Sequence, residues 1–213
     1  MTEDHLPTAR GVARIQALMD AAANLFLDQG YEAVSLDTLI AKAGGSRRNI
    51  YEHFGGKQGL FVDVITRLCN EQAAPLRQLD AGSGEIGPAL VMFGERLLEV
   101  VLQPRTLALQ RLMIAEGQRF PELAQAILRS GHDTGVEILA DWLRPRLPEL
   151  RGNLPPEKLA EQFIGLVVTG PQLRALVGAI SLPLPAGEVS RLAHDAVSTF
   201  LHGTQPAIRS PHA

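Results

Sequence analysis

Two glycine pairs, Gly44-Gly45 and Gly55-Gly56, bracket the short segment from Ser46 to Phe54. Glycine tolerates the positive φ angles that close a helix, so the enclosed residues form a helix of about two turns or nothing regular. A serine stands ahead of each apolar run. Ser35 precedes Leu36, Leu39 and Ile40, Ser46 follows the first glycine pair, and a hydroxyl at such a position caps exposed amides. Asp37 in the first turn suits the positive helix end. The pattern predicts a second helix stopping at Ala43 and a third starting at Arg47. In that third helix Ile50 and Phe54 share one face at i, i+4, while Arg48, Tyr51 and Glu52 fall on other faces and Arg47, Asn49 and His53 along the flanks. One side packs and the other is free.

The surrounding chain reads as helix throughout. Ile15, Leu18, Met19, Ala22, Leu25 and Phe26 recur at three- and four-residue steps, which predicts a first helix over Ala9 to Gln29 ending before Gly30. Leu60, Phe61, Val64, Ile65 and Leu68 mark a longer fourth helix reaching Leu79. A glycine-rich junction over Asp80 to Gly87 follows. Further helical patterns run from Leu90 to Leu102, Leu107 to Gln118, Leu123 to Leu143, Pro156 to Ile180 and Glu188 to Leu201, with prolines near their limits. Pro171 interrupts one long pattern and predicts a kink there. No strand pattern appears, so the expected class is all-α.

Composition excludes several classes. No apolar stretch reaches the roughly 18 residues that span a bilayer, and Met1 to Arg14 is polar rather than laid out as a secretory signal. The expected location is the cytoplasm, with no membrane partner. A single cysteine, Cys69, forms no internal disulfide. The six histidines are scattered, without His-Glu-x-x-His or a cysteine pair, and the glycine pairs follow no strand. No metal, cofactor or enzymatic chemistry is expected. The net charge of −3 gives no support to nucleic-acid binding by itself, so that case rests on placement.

Placement supplies it. Two short helices joined by a glycine turn, the second bearing exposed polar side chains, meet the physical requirement of a helix-turn-helix reader, whose second helix enters the major groove. Arg47 or Arg48 can donate twice to guanine, Asn49 can pair with adenine, and Tyr51 can donate to phosphate. Lys57, opening the fourth helix, adds a second phosphate grip. The stretch from Ser35 through Gly44-Gly45-Ser46 to Tyr51-Glu52-His53-Phe54 and Lys57, with Ala22-Ala23-Asn24-Leu25-Phe26 and Gly30-Tyr31 upstream, resembles the reader of the TetR family of regulators. The resemblance implies that Ser35, Tyr51 and Lys57 hold phosphates, that Arg47, Arg48 and Asn49 face bases, and that His53 is a further contact. Gly45 departs from the small branched residue usual in that family, and Asn49 from the frequent threonine.

Beyond the junction, apolar stripes must close a bundle. Phe163, Leu166, Val167, Gly170 and Leu173 form one band, and Val197, Phe200 and Leu201 part of another. In the resembled family the last two helices pair in a twofold dimer, which makes these eight residues the expected dimer interface; the alternative is burial within one subunit, and the width of the stripes, with Gly165 and Gly170, suits both uses together. The segment Arg111 to Leu123 is similar to one found in a large subset of TetR-like C-terminal domains. A ligand pocket needs apolar walls and a few polar anchors. Met92, Phe93, Met113, Trp142 and Phe163 are wall candidates and Glu116, His132, Gln172 and Arg174 anchors, although core packing is the stronger reading for each apolar one. No effector contact is assigned.

The expected organisation is a helix-turn-helix domain over 1–57 with its motif at 35–54, a connecting helix over 58–80, a helical ligand-binding and dimerisation domain over 81–203 and a flexible tail at 204–213. The expected function is that of a homodimeric regulator of transcription, most simply a repressor, with operator DNA and an apolar or aromatic effector as partners. Activation stays open. The competing readings are a ligand-binding helical protein with a degenerate reader and a helical enzyme with an unrecognised site.

Overall fold

A computed structural model describes residues 9–78, 84–150 and 153–203. The tail expected at 204–213, residues 80–83 of the junction and the first eight residues lie outside the described set. Among the described residues every regular element is helical: α1 (Ala9–Ala33), α2 (Leu36–Ala43), α3 (Arg47–Phe54), α4 (Lys57–Arg77), α5 (Ile86–Val101), α6 (Pro104–Glu116), α7 (Pro121–Leu128), α8 (Thr134–Leu143), α9 (Pro156–Leu176) and α10 (Glu188–His202). A π-turn, Arg129–Asp133, joins α7 to α8, and a 3-10 segment, Arg144–Glu149, follows α8. The all-α expectation holds.

The chain divides into two compact units that are not contiguous in sequence. The first takes residues 1–71 and 108–130, the second 72–107 and 131–213. In the first unit α1 packs on α2 and α2 on α3. Its core joins Leu18, Ala22 and Phe26 of α1, Leu39, Ile50, and Leu60, Phe61, Val64, Ile65 and Leu68 of α4 with Leu109 and Leu112 of α6. Phe26, Tyr31, Phe61 and Phe120 form an aromatic chain, with centroids 4.7 Å apart for Phe26–Phe61 and for Tyr31–Phe61, and 4.6 Å for Tyr31–Phe120. These separations suit edge-to-face contact.

Gly30 does not end α1 as expected but bends it, at φ 79 and ψ 173, and one more turn follows to Ala33. The bend seats Tyr31 in the aromatic chain, which explains why the helix continues.

In the second unit α5 and α9 pack on α10 and on each other, and α8 packs on α9. Phe163 is fully enclosed, with Phe93 at 6.4 Å and Phe200 at 5.2 Å between ring centroids. Gly94 allows this convergence: a Cβ there would sit 3.4 Å from Ala193 Cβ and 3.6 Å from both Phe163 Cζ and Val167 Cγ2. Buried Thr106 places its hydroxyl 2.8 Å from the Val100 carbonyl and 2.6 Å from the Gln72 side-chain amide. Among the described residues no helix is long and apolar enough to cross a membrane.

Candidate nucleic-acid interface

The geometry of α2 and α3 follows from their caps. Ser35 Oγ accepts the Thr38 N–H at 3.0 Å and shares a 2.8 Å hydrogen bond with the Thr38 hydroxyl. Gly44, at φ 74, donates its N–H to the Ile40 carbonyl, and Gly45 follows at φ 116. Two successive residues at positive φ make this turn favour glycine at both positions. Ser46 then caps α3: its Oγ accepts the Asn49 N–H at 3.2 Å and donates to Asn49 Oδ1 at 2.8 Å. Left-handed Gly55 closes α3 through its N–H to the Tyr51 carbonyl at 3.0 Å.

Anchored by Ile50 at 1 % exposure and by half-buried Phe54, α3 turns its polar residues outward. Ser35, Arg47, Arg48, Tyr51 and His53 are exposed, while Asn49 and Lys57 are half-buried. All seven sequence candidates lie in the first unit: Ser35 caps α2, Lys57 opens α4 and the other five are on α3. Their present engagements differ. Tyr51, 60 % exposed, lies against Gly56, where a Cβ would meet its ring at 3.2 Å. Lys57 folds back: its Nζ stands 4.2 Å from the Tyr31 ring centroid and donates to the Glu32 carbonyl at 3.3 Å. It therefore braces the start of α4 against the end of α1.

Both arginines are paired with carboxylates. Arg47 grips Asp37 with two hydrogen bonds, Nε to Oδ1 at 3.0 Å and Nη2 to Oδ2. The Arg47 guanidinium holds the Asp37 carboxyl below the usual carboxylate range, through hydrogen bonding first and charge second. Arg48 donates from Nε to Glu52 Oε1 at 2.6 Å. Glu52 was absent from the sequence candidates, although its i, i+4 spacing from Arg48 was readable. The Asp37–Arg47 fork spans ten residues and two helices, so only the fold reveals it.

The eight dimer candidates separate by burial. Phe163, Val167 and Val197 lie in the core of their own unit. Leu166, Gly170 and Leu173 are exposed, and Phe200 and Leu201 are half-buried. Exposed Val177 continues the line of Leu166, Gly170 and Leu173 at i, i+4, i+7 and i+11, and neither Gly165 nor Gly170 would meet a neighbour if given a Cβ.

The pocket candidates divide between the two units. Met113 and Glu116 belong to the first unit, whereas Met92, Phe93, His132, Trp142, Phe163, Gln172 and Arg174 belong to the second, where Phe93 and Phe163 are core. Among the described residues Trp142 Nε1 is buried without a hydrogen-bond partner, and the Arg146 guanidinium lies 4.1 Å from its ring centroid. A cleft of about 370 Å³ in the second unit is lined by other residues, among them Leu98, Leu102, Leu182, Leu184 and Val189, with Glu99 and Gln103 as polar members. Sequence periodicity missed it because its walls come from the end of α5 and the loop before α10.

Two capped short helices joined by a tight turn, the second with a polar outer face, define a helix-turn-helix protein. Comparison with known proteins gives the family. Residues 18–64 match the model of bacterial regulatory proteins of the tetR family, and residues 88–203, more than half of the chain, match the AefR-like transcriptional repressor C-terminal domain. The chain belongs to the TetR family, and it is a DNA-binding transcriptional regulator rather than an enzyme.

Among its relatives, the transcriptional repressor ComR of Escherichia coli is 28% identical over 170 residues, covering 76% of this chain and 80% of ComR. The transcriptional activator FasR of Mycolicibacterium smegmatis is 34% identical over 61 residues, which span only 28% of FasR and 29% of this chain. The solved structure of the flavonoid-responsive regulator FrrA superposes with a TM-score of 0.77 at 28% identity, covering 92% of this chain and 99% of that one. A TetR-family regulator from Mesorhizobium loti gives 0.78 at 25% identity, over 91% and 97%.

Proposed function

We propose that the chain acts in the cytoplasm as a homodimeric repressor that reads an operator through α3 and is released by a small apolar or aromatic ligand. The observation that carries the reading is the outer face of α3, where Arg47, Arg48, Asn49, Tyr51 and His53 share a helix held from beneath by Ile50. Ser35 and Lys57 flank it as phosphate contacts, Lys57 leaving the Tyr31 ring to reach the backbone. Reading is assigned to residues 1–57, connection to 58–80, and dimerisation and ligand binding to 81–203, although residues 58–71 and 108–130 belong to the same compact unit as the reader.

The proposed dimer contact is the exposed α9 stripe of Leu166, Gly170, Leu173 and Val177, with Phe200 and Leu201 at its margin. Glycine at 165 and 170 permits close helix approach. Twofold pairing would set two α3 helices about 34 Å apart, one turn of DNA. The names of ComR and of the AefR-like domain favour repression over activation. FrrA, named for its response to flavonoids, favours an aromatic ligand, and the apolar cleft around Leu98, Leu102 and Val189 is its candidate seat, within the ligand-pocket range of about 300 to 1,000 Å³. By linkage that ligand must bind the DNA-free form more tightly.

The test is binding of the purified chain to the duplex upstream of its own gene, over a salt series and against scrambled DNA. Selective binding with a steep salt slope, by a particle of twice the chain mass, is the expected result. Unselective or absent binding on genome-derived duplexes would leave a ligand-binding protein with a degenerate reader.

A further inference from the structure

Taking roughly 100° per residue around α3, the direction midway between Ile50 and Phe54 marks the buried side. Glu52 lies about 180° from it, Arg48 roughly 40° to one side of Glu52 and Asn49 roughly 60° to the other. Arg47, Tyr51 and His53 sit farther round. The residue that faces straight out from the reading helix is therefore a carboxylate, an unfavourable choice for a surface meant to approach phosphates unless the groove offers it a donor.

Glu52 is engaged through one oxygen only. Oε1 accepts from Arg48 Nε at 2.6 Å, and no other partner of either side chain is found among the described residues. Oε2 and both terminal amino groups of Arg48 remain available. Along the major-groove edge of a G·C pair the order is guanine N7, guanine O6, then the cytosine amino group: two acceptors followed by a donor. Two terminal N–H groups followed by one carboxylate oxygen are the complementary sequence.

We propose that Glu52 is a specificity-determining residue, and that Arg48 and Glu52 act as one unit reading a single G·C base pair in each half-site. The inference rests on α3 being the reading helix. Arg48 takes guanine O6 and N7 end-on, while Glu52 fixes its guanidinium and accepts from the cytosine amino group. On A·T and C·G pairs the carboxylate faces an acceptor and its desolvation is not compensated; on T·A it still meets the adenine amino group, but the thymine methyl stands where Arg48 needs the N7 acceptor. Arg47 is held in the two-point grip of Asp37 on the flank, well round the helix from Glu52, so the base-pair unit is Arg48 with Glu52.

The experiment is selection from a random duplex pool with the full chain, repeated with E52Q, E52A and R48A. Wild type should enrich one invariant G·C pair per half-site. E52Q and E52A should lower the preference for it by about 5- to 150-fold, the range for one lost base-specific contact. They should also tighten binding to random DNA, because a charge that repels phosphates is gone. R48A should relax the same position, and the double variant should lose less than the product of the single losses. An unchanged preference in both Glu52 variants, or an equal loss on every sequence, would overturn the assignment. Failure of wild type to enrich any sequence would overturn the reading of α3 itself, a distinct outcome. Both side chains are exposed, so circular dichroism should give superimposable spectra for all variants.

Discussion

Ile50→Ala tests how a helix as short and polar as α3 is held in place. Eight residues are too few to remain helical alone, since isolated helices below about 12 residues are marginal in water. Within α3, Ile50 is the fully buried side chain, and half-buried Phe54 assists it. Truncation deletes three carbon groups, roughly 2.5 kcal/mol of transfer free energy at about 0.8 kcal/mol each. The unfilled cavity raises the cost, within a range of about 2–5 kcal/mol. Hydrogen exchange by mass spectrometry reads this locally: amide protection in α3 should fall by about 30-fold or more, while that around Val197 in the second unit should stay as in wild type. Operator affinity should weaken with it, because α3 must be docked to read. Ile50→Val should cost only about 0.5–1.5 kcal/mol. Unchanged protection of α3 in the alanine variant, or full affinity with α3 unprotected, would refute the anchoring argument.

Burial pushes the Cys69 thiol up to about 12, so at pH 8 it should resist iodoacetamide in the native protein and react only as urea opens the first unit; rapid native labelling would contradict this. The Asp37 carboxyl is held below its usual range by Arg47, so its stabilising pairing is present above the ordinary Asp value of about 3.9 and is lost as the pH falls through the lowered folded value. D37N should remove that part of the acid dependence in thermal melts, and 1 M salt should mute it, since both groups are exposed. Thr106→Val should cost about 0.5–1.5 kcal/mol, the worth of the hydroxyl's hydrogen bond, since the Val100 carbonyl keeps the Gln103 N–H, whereas T106S should melt as wild type does.

Much of the helix order was legible because caps and glycines mark local boundaries. Ser35, Ala43, Ser46 and Arg47 took the positions their chemistry predicts. The misjudged ends involve residues whose role depends on distant neighbours. Gly30 reads as a terminator, yet Tyr31 is drawn inward by Phe61 and Phe120 and the chain turns once more. The pattern starting at Leu90 begins in the structure at Ile86, with Pro88 in the first turn, and Pro104 opens the helix whose pattern starts at Leu107; a proline inside the first turn forfeits no hydrogen bond. Pro171 lies within continuous α9, which stops at Leu176 rather than Ile180. The single pattern from Leu123 to Leu143 contains the π-turn at Arg129–Asp133, where the three- and four-residue rhythm slips. On the candidate interface, side-chain chemistry pointed to Arg47 and Arg48, but their partners, and hence their different situations, required the placement of α2 beside α3.

The split of the first unit between residues 1–71 and 108–130 bears on synthesis and on engineering. As the chain leaves the ribosome, the helix-turn-helix residues emerge well before Leu109, Leu112 and Phe120, which finish their hydrophobic interior. Until α6 and Phe120 follow, the cluster lacks its last members and the Tyr31 ring its contact with Phe120. A hybrid regulator made by grafting residues 1–71 onto a foreign sensor would inherit the same gap. A transplant that carries its own interior needs a second splice, bringing residues 108–130 with the first.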